Sequence, residues 1–417
     1  MKAALSTWWD GAAAGELRLD EHGDMSFVYS ADWLSNPARR AISMSLPKRE
    51  ERYGRRQCRP FFAGLLPEET VREDVARALG VSKANDFALL QALGGDVAGA
   101  LTLWPVGEKP PEYDGRTAAE PLGDNALVEL LDILPKQPFL AGREGFRLSL
   151  AGVQTKLPVV LVDGRVALPA PGQPTTHILK PPIARFPGTT ENEAFAMRLA
   201  AEMGLSVAAV EPRRVRDRPY LLVTRYDRAT DAHGRVRRLH QEDFCQALGI
   251  PPEHKYASEG GPTFKTSFEL VRKAATRPAV EVLKLLDAAI FNLLVGNADA
   301  HGKNYGLLYR PDDAAFAPLY DLMCTVAYPE VSAKPAMKIA DASSPKDFNA
   351  QRWQKFADDI KIGLPLLRRR VKALAEAALS RVDIVGEAVA RSGFDGEVLK
   401  KLPQIVRERA QTVVEST

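Results

Sequence analysis

The alternation of apolar and polar positions divides the chain into stretches of different period. Over residues 5–9 and 25–29, short runs carrying Trp, Phe, Val and Tyr predict strands, with Gly11, Gly15 and Gly23 marking the turns between them. Pro67, followed by Glu68 and Glu69, predicts a helix start with acids in its first turn; residues 71–79 continue it and Gly80 ends it. A second helix is predicted over 86–93. Residues 107–124 hold Pro110, Pro111, Gly115, Pro121 and Gly123 among charges and few large apolar side chains, the composition of a linker or surface excursion. From about 139 to 228 strands return. A hairpin is predicted over 158–162 and 166–168, a strand over 175–179, a helix over 191–203 stopped by Gly204, and an apolar strand over 220–224. Beyond residue 240 the pattern is mainly helical: Leu283, Leu286, Ile290 and Leu293 recur at helical period, and residues 364–391 are rich in Leu and Ala with interleaved Arg.

The length of 417 residues exceeds one ordinary domain. The period changes predict a small mixed unit over 1–106 and a linker or excursion over 107–138. A small nucleotide-binding type of lobe follows over 139–228, then a helical lobe over 229–417. Net charge is +3, too weak to imply nucleic-acid binding by itself. The basic clusters Arg213, Arg214, Arg216 and Arg218, and Arg368, Arg369 and Arg370, read as solvated faces. Cys58, Cys245 and Cys324 are far apart and show no metal or disulfide spacing, which points to a reducing compartment. The N-terminus does not read as a signal peptide, and no apolar run approaches the ~18 residues of a membrane span. A cytoplasmic location without membrane contact is expected.

Three pieces carry chemistry. Gly296-Asn297-Ala298-Asp299-Ala300-His301-Gly302-Lys303-Asn304 follows a predicted helix and sets Asp299 and Asn304 five positions apart. Protein kinases use this spacing: the Asp orients and accepts the substrate hydroxyl proton, and the Asn holds Mg²⁺. Lys303 lies between them, where its charge would neutralise a moving phosphoryl group. Phe316-Ala317-Pro318-Leu319-Tyr320 then delivers Asp321, a second candidate for Mg²⁺, which demands rigid oxygen ligands. Lys180 ends the apolar strand His177-Ile178-Leu179-Lys180, within reach of α- and β-phosphates. Glu193, on one helix face with Met197 and Ala200, is its candidate partner. Read singly, each piece also fits a plainer role: a solvated polar loop, an Asp capping a turn, a snorkelling Lys beside a surface Glu. Their order, Lys, Glu, hinge-like strand, Asp-x-x-x-x-Asn, Asp, is that of phosphoryl transfer, which needs positioning and charge stabilisation. No G-x-G-x-x-G precedes Lys180; residues 146–156, which include Ser149, Ala151, Gly152 and Val153, stand in its place, with backbone N–H groups suited to phosphate.

With these residues stand Ser149-x-Ala151-Gly152-x-Gln154-x-Lys156, His177-x-x-Lys180, Val223-x-x-Tyr226-Asp227-Arg228, Gln241-Glu242-Asp243-x-Cys245-Gln246 and Asp299-x-His301-x-Lys303-Asn304. Together they resemble the HipA family of toxin–antitoxin kinases. Phe61-Phe62-x-x-Leu65-Leu66-Pro67 and Gly94-x-Asp96-x-x-Gly99-Ala100 resemble that family's first subdomain. The resemblance runs from about residue 5 to about 380. It implies an α+β chain: a protein-kinase-like two-lobed core, an additional small α/β N-terminal subdomain and a mainly helical C-terminal lobe. It implies an ATP- and Mg²⁺-dependent serine/threonine kinase whose targets are aminoacyl-tRNA synthetases. It also implies a small helix-turn-helix antitoxin of the HipB type, through which DNA is bound. Asp299 would be the catalytic base, with His301 and Lys303 beside it in the catalytic loop. Asn304 and Asp321 would hold the metal, and Lys180 the phosphates. Val223, Arg225 and Tyr226 would line adenine, Asp227 would lie near the ribose, and Ser149 would be autophosphorylated. Residues 241–243 and 256–262 match the family without a role derivable from the sequence. Two rivals stay open: a kinase-like corepressor that acts on DNA with an antitoxin, and a metal-dependent phosphohydrolase using Asp299, His301 and Asp321.

Overall fold

A computed structural model of the chain describes residues 3–113, 115, 119–143 and 146–416; residues 1–2, 114, 116–118, 144–145 and 417, some of them in the expected linker, lie outside the described residues. The N-terminal part is built on a four-stranded antiparallel sheet in the order Met25–Tyr29, Ala12–Leu19, Ala4–Trp9, Leu101–Pro105. The strands expected over 5–9 and 25–29 are present. Ala12–Leu19, hidden by its alanines and glycine, runs between them. Gly15, expected in a turn, lies in mid-strand, where a Cβ would sit 2.3 Å from the Val28 carbonyl oxygen and 2.7 Å from the Phe27 ring. Glycine is what lets these two strands close. Helices Arg55–Ala63, Glu69–Leu79 and Asp86–Leu93 join the same core through Phe61, Phe62, Val75, Leu89 and Leu93.

Pro67 does not open its helix. Glu68 is the extended N-cap residue and the helix begins at Glu69. Pro67 instead bridges to Gly152, and the Glu68 N–H donates to the Gly152 carbonyl at 3.2 Å. The first acid of the predicted helix is thereby drawn away from the helix and towards the centre of the molecule.

A second sheet has five strands, all neighbours antiparallel, in the order Arg165–Ala167, Leu157–Val162, His177–Lys180, Arg218–Thr224, Val210–Val215. The last strand was not expected, because Arg213 and Arg214 read as a solvated face. It is an edge strand, and the Arg213 guanidinium pairs with Glu211 at 2.7 Å. Along Arg218–Thr224, Tyr220 and Leu222 enter the core shared with the N-terminal sheet. Leu221 and Val223 enter the core shared with the helix Thr189–Glu202 and the C-terminal helices. Successive strand side chains point to opposite faces, so this unbroken apolar run reports a sheet covered on both sides. Inside the expected linker, Asp124–Ile133 is a helix that buries Leu127, Leu130 and Leu131 at i, i+3, i+4 spacing.

The C-terminal half is mainly helical, as expected. Phe264–Ala274, Pro278–Val295, Ala350–Asp359, Leu364–Arg391 and Glu397–Glu415 surround one core. A small sheet, His240–Asp243, Gly306–Arg310 and Asp313–Phe316, accompanies them. The strand His240–Asp243 explains part of the segment left without a role. Glu242, fully buried, accepts hydrogen bonds from Ser43 Oγ at 2.5 Å, the Met44 N–H at 3.0 Å and Tyr309 Oη at 2.5 Å. Burial pushes its pKa up to about 7. It fastens the N-terminal part to the helical lobe. Among the described residues no helix is long and apolar enough to cross a membrane, and the three cysteines are buried and unpaired.

Candidate active site

Lys180 closes the strand His177–Lys180 with its ammonium inside the molecule. Its Nζ lies 2.7 Å from both carboxylate oxygens of Glu193 and 2.7 Å from Asp321 Oδ1. Glu193 is on the buried face of Thr189–Glu202, so the pairing expected from helix geometry is formed. Burial opposes charge on Lys180, but the Asp321 and Glu193 carboxylates outweigh it and push its pKa up. Asp321 is held by its neighbours: Leu319 donates its N–H to the Ser206 carbonyl at 2.8 Å, and Tyr320 Oη donates to the Lys303 carbonyl at 2.5 Å. The backbone of Asp321 is left-handed, with φ +58°. Among residues with a Cβ, Asp and Asn tolerate this region best.

The helix Pro278–Val295 ends at the left-handed Gly296 and feeds the next loop. Asn297 accepts the Asp299 N–H on its side-chain oxygen at 3.1 Å and donates to Asn292 at 3.0 Å, which fixes the path of the chain. Asp299 Oδ1 accepts a hydrogen bond from Tyr256 Oη at 2.9 Å. Burial pushes the Asp299 carboxyl up to about 6. Asn304 accepts the His301 N–H at 3.1 Å and donates its amide to Asp321 Oδ2 at 3.3 Å. Lys180, Glu193, Asp321 and Asn304 are thus joined by direct contacts, with Asp299 on the same loop. Among the described residues no three His, Cys, Asp or Glu side chains are placed to hold a metal ion together. Two oxygen donors, from Asn304 and Asp321, fit a Mg²⁺ ion that takes its remaining ligands from phosphates and water.

Several expected site residues are engaged elsewhere. Lys303 is buried, with Nζ 2.6 Å from Asp243 Oδ2 and 3.2 Å from the Gly64 carbonyl. Its charge is already matched, so it is not free to neutralise a transferred group. His301 Nδ1 accepts the Lys303 N–H at 3.3 Å, and burial pushes the ring down to about 3, which keeps it neutral. From this buried position it shapes the loop. Arg225 and Asp227 bind each other at 2.7 Å and close into a buried network. There Asp96 meets Arg228 and Arg238, each at 2.9 Å, and Gly99 donates its N–H to Asp227 at 2.7 Å. Their side chains knit the hinge strand to the N-terminal part and do not offer themselves to a nucleotide. Val223 faces the core, while Tyr226 is half-buried, bonded to Gln241, with its ring 5.7 Å from that of Tyr320.

The expected phosphate loop is docked on the N-terminal part. Ala151 accepts a hydrogen bond from Lys156 Nζ at 2.7 Å. Gly152 has φ +113°, and a Cβ there would lie 2.6 Å from that ammonium, so glycine is needed on both counts. Val153 is exposed at the tip. Ser149 is fully buried; its hydroxyl donates to the Leu65 carbonyl at 2.8 Å and its N–H to the Asp96 carbonyl at 3.0 Å.

Sequence reasoning missed Glu68, Asp243, Lys255 and Tyr256 as parts of this site. Lys255 Nζ lies 2.9 Å from Glu68 Oε2. Glu68 had read as a helix-start acid. Asp243 and Tyr256 lay in the two family-like segments that the sequence leaves without a role.

Comparison with known proteins places this geometry. Residues 5–104 match the family model of the HipA N-terminal domain, and residues 148–384 that of the HipA-like C-terminal domain. The Y4mE protein of Sinorhizobium fredii is 59% identical over 389 residues, covering 93% of this chain and 91% of that protein. The serine/threonine-protein kinase toxin HipA of Shewanella oneidensis is 32% identical over 388 residues, covering 88% of this chain and 87% of that protein. A solved structure of the Shewanella oneidensis toxin–antitoxin system HipA, HipB and its operator DNA complex matches with a TM-score of 0.81 and 27% identity, over 99% of this chain and 100% of that one.

Proposed function

The chain belongs to the HipA family and is a serine/threonine kinase with a two-lobed α+β fold, and we propose that its cleft moves the γ-phosphoryl of ATP onto a hydroxyl of another protein. The observation that carries this reading is the contact chain Glu193–Lys180–Asp321–Asn304 beside Asp299. In this reading Lys180, oriented by Glu193, binds the α- and β-phosphates. Asn304 and Asp321 hold Mg²⁺, which would neutralise charge between the β- and γ-phosphates when bound. Asp299, with its pKa near 6, is ionised at neutral pH and accepts the acceptor hydroxyl's proton. The segment Val223–Tyr226 borders the adenine, Val223 through its backbone, and residues 151–153 cover the phosphates. We keep the division read from the sequence periods, an N-terminal subdomain over 1–106, a connecting stretch over 107–138, an N-lobe over 139–228 and a C-lobe over 229–417, with the N-lobe contributing to the cores on both of its sides. The direct test is mass spectrometry of proteins phosphorylated after induction. We expect acceptor phosphopeptides with wild type and none with Asp299→Ala; an identical set from both would overturn the reading.

The acceptor we infer is an aminoacyl-tRNA synthetase in the cytoplasm, whose modification would arrest translation. The partner we infer is a small helix-turn-helix antitoxin. Support comes from the relative solved with HipB and operator DNA, and from a net charge of only +3, which leaves this chain a weak DNA ligand alone. The complex is expected to bind operator DNA at ~0.15 M salt. Nanomolar binding by the isolated chain at that salt would refute the division of labour.

Ser149 is proposed as a self-limiting phosphorylation site. Its burial adds a condition: the loop must leave the Leu65 and Asp96 carbonyls before the hydroxyl can react. A phosphate would bring about −1.5 to −2 charges, which cannot return to that dry pocket. The loop would stay out and ATP would lose its cover. Because the serine belongs to the loop itself, transfer between molecules is expected, with a rate rising faster than linearly in protein concentration. Phosphopeptide mapping after incubation with ATP should find Ser149 modified in wild type and unmodified in Asp299→Ala. A fully active Ser149-phosphorylated enzyme would sink the idea.

A further inference from the structure

Residues 255–262 form a turn held against the catalytic loop more tightly than a surface connection requires. The Gly302 N–H donates to the Lys255 carbonyl at 3.2 Å, and a Cβ on Gly302 would lie 2.4 Å from the Pro262 ring. The Gly261 N–H donates to the Tyr256 carbonyl at 2.9 Å, and a Cβ on Gly261 would lie 2.4 Å from the His254 carbonyl oxygen and 2.6 Å from that of Tyr256. On the other side, Ala257 donates to the Ala336 carbonyl at 3.2 Å, and Ala336 to the Ala298 carbonyl at 2.8 Å. The turn is therefore tied by backbone bonds to positions on both sides of Asp299. Glycines 261 and 302 stand where any side chain would break the fit.

What this clamp presents to the site is the Tyr256 hydroxyl, 2.9 Å from Asp299 Oδ1. The Tyr256 ring stands edge-on to His301, with centroids 5.3 Å apart at 87°, so its direction is fixed. Lys255 is anchored in turn by Glu68, from the N-terminal part. Among the described residues Asp299 Oδ2 carries no hydrogen bond and is not a buried atom. One carboxylate oxygen is thus held by the protein and the other is left to the cleft.

We propose that Tyr256 is a positioning residue of phosphoryl transfer: its hydroxyl fixes the Asp299 carboxylate so that Oδ2 faces the acceptor hydroxyl, and the 255–262 turn exists to hold it there. This rests on Asp299 being the catalytic base. A carboxylate free to rotate about its last bond spends part of its time in unproductive orientations, and near-attack geometry is sensitive to shifts of an ångström. Because Tyr256 acts through Asp299 alone, its effect should vanish when Asp299 can no longer take the proton.

The experiment is a double-mutant cycle on the full chain, with a fixed acceptor protein and saturating Mg²⁺. Tyr256→Phe should lower kcat by about 10–100-fold while the KM for ATP and the unfolding temperature stay near wild type. In an Asp299→Asn background the same change should cost no further rate. Wild-type kcat in Tyr256→Phe, or an equal loss in both backgrounds, overturns the inference while leaving Asp299 as the base. A wild-type rate in Asp299→Asn alone removes the base assignment, and the inference with it.

Discussion

Asp299→Ala is expected to lower phosphoryl transfer by about 10²–10⁴-fold, the usual worth of a general base, without unfolding the protein. The fold should survive because the only hydrogen bond to the Asp299 carboxylate among the described residues comes from Tyr256, and no buried cation depends on it for a bond. Asp321→Ala should cost at least as much rate, by loss of the metal ligand. Its structural consequence is also bounded, since Lys180 keeps both bonds to Glu193. The left-handed backbone at Asp321, φ +58°, makes alanine strained there, and Asp321→Asn is the control that keeps the conformation while removing the charge. The two sites separate by binding: Asp321 variants should weaken Mg²⁺-dependent ATP affinity more than Asp299→Ala does. Labelled phosphate transfer and ATP titration measure both. Near wild-type transfer by either Asp299→Ala or Asp321→Asn would show that the chemistry lies elsewhere.

The parts of this site legible in the sequence are those whose meaning is carried by local period. A four-residue apolar strand ending in Lys180, a helix face bearing Glu193, and an Asp five places before an Asn each define a position and a direction within one element. The Lys180–Glu193 pair is 13 residues apart and could be inferred from helix geometry. What stayed hidden was the identity of distant partners. Lys303 looks like a free active-site cation until Asp243, 60 residues earlier, is found against it. Arg225 and Asp227 look like hinge residues open to a ligand, but Asp96, 129 positions before Arg225, draws them into a buried network. Spacing says which side chains share a face of their own element. It does not say which opposite charge from another lobe will meet them, and burial of a charge forces such a meeting. The N-terminal strand Ala12–Leu19 was missed for a different reason, since its first half is Ala-Ala-Ala-Gly, with Gly15 set by close strand contact, and only Glu16–Leu19 alternate. Ser149 belongs to the first class in type and to the second in placement: the loop was visible, its docking on Leu65 and Asp96 was not.

Lys180→Met is expected to abolish activity and also to destabilise the fold by about 3–5 kcal/mol, because it strands a buried charge. Glu193 is 2% exposed, and both its oxygens are bonded to the Lys180 ammonium. Without that cation the carboxylate must either stay ionised in an apolar setting or take up a proton, and both cost stability. Asp321 is in a different position, with 39% of its side chain exposed, so it can recover hydration at the cleft. The two consequences of losing Lys180 should therefore separate. Adding Glu193→Leu to Lys180→Met replaces the ion pair with an apolar contact on a face already lined by Met197 and Ala200, and stability should return towards wild type. Activity should not return, since the Lys180 ammonium that would bind the α- and β-phosphates is still missing. Thermal or urea unfolding and ATP binding on the single and double variants measure the two effects side by side. A Lys180→Met protein as stable as wild type would mean the pair is not buried in solution. A double variant that regains transfer would mean Lys180 serves the fold and not the phosphates.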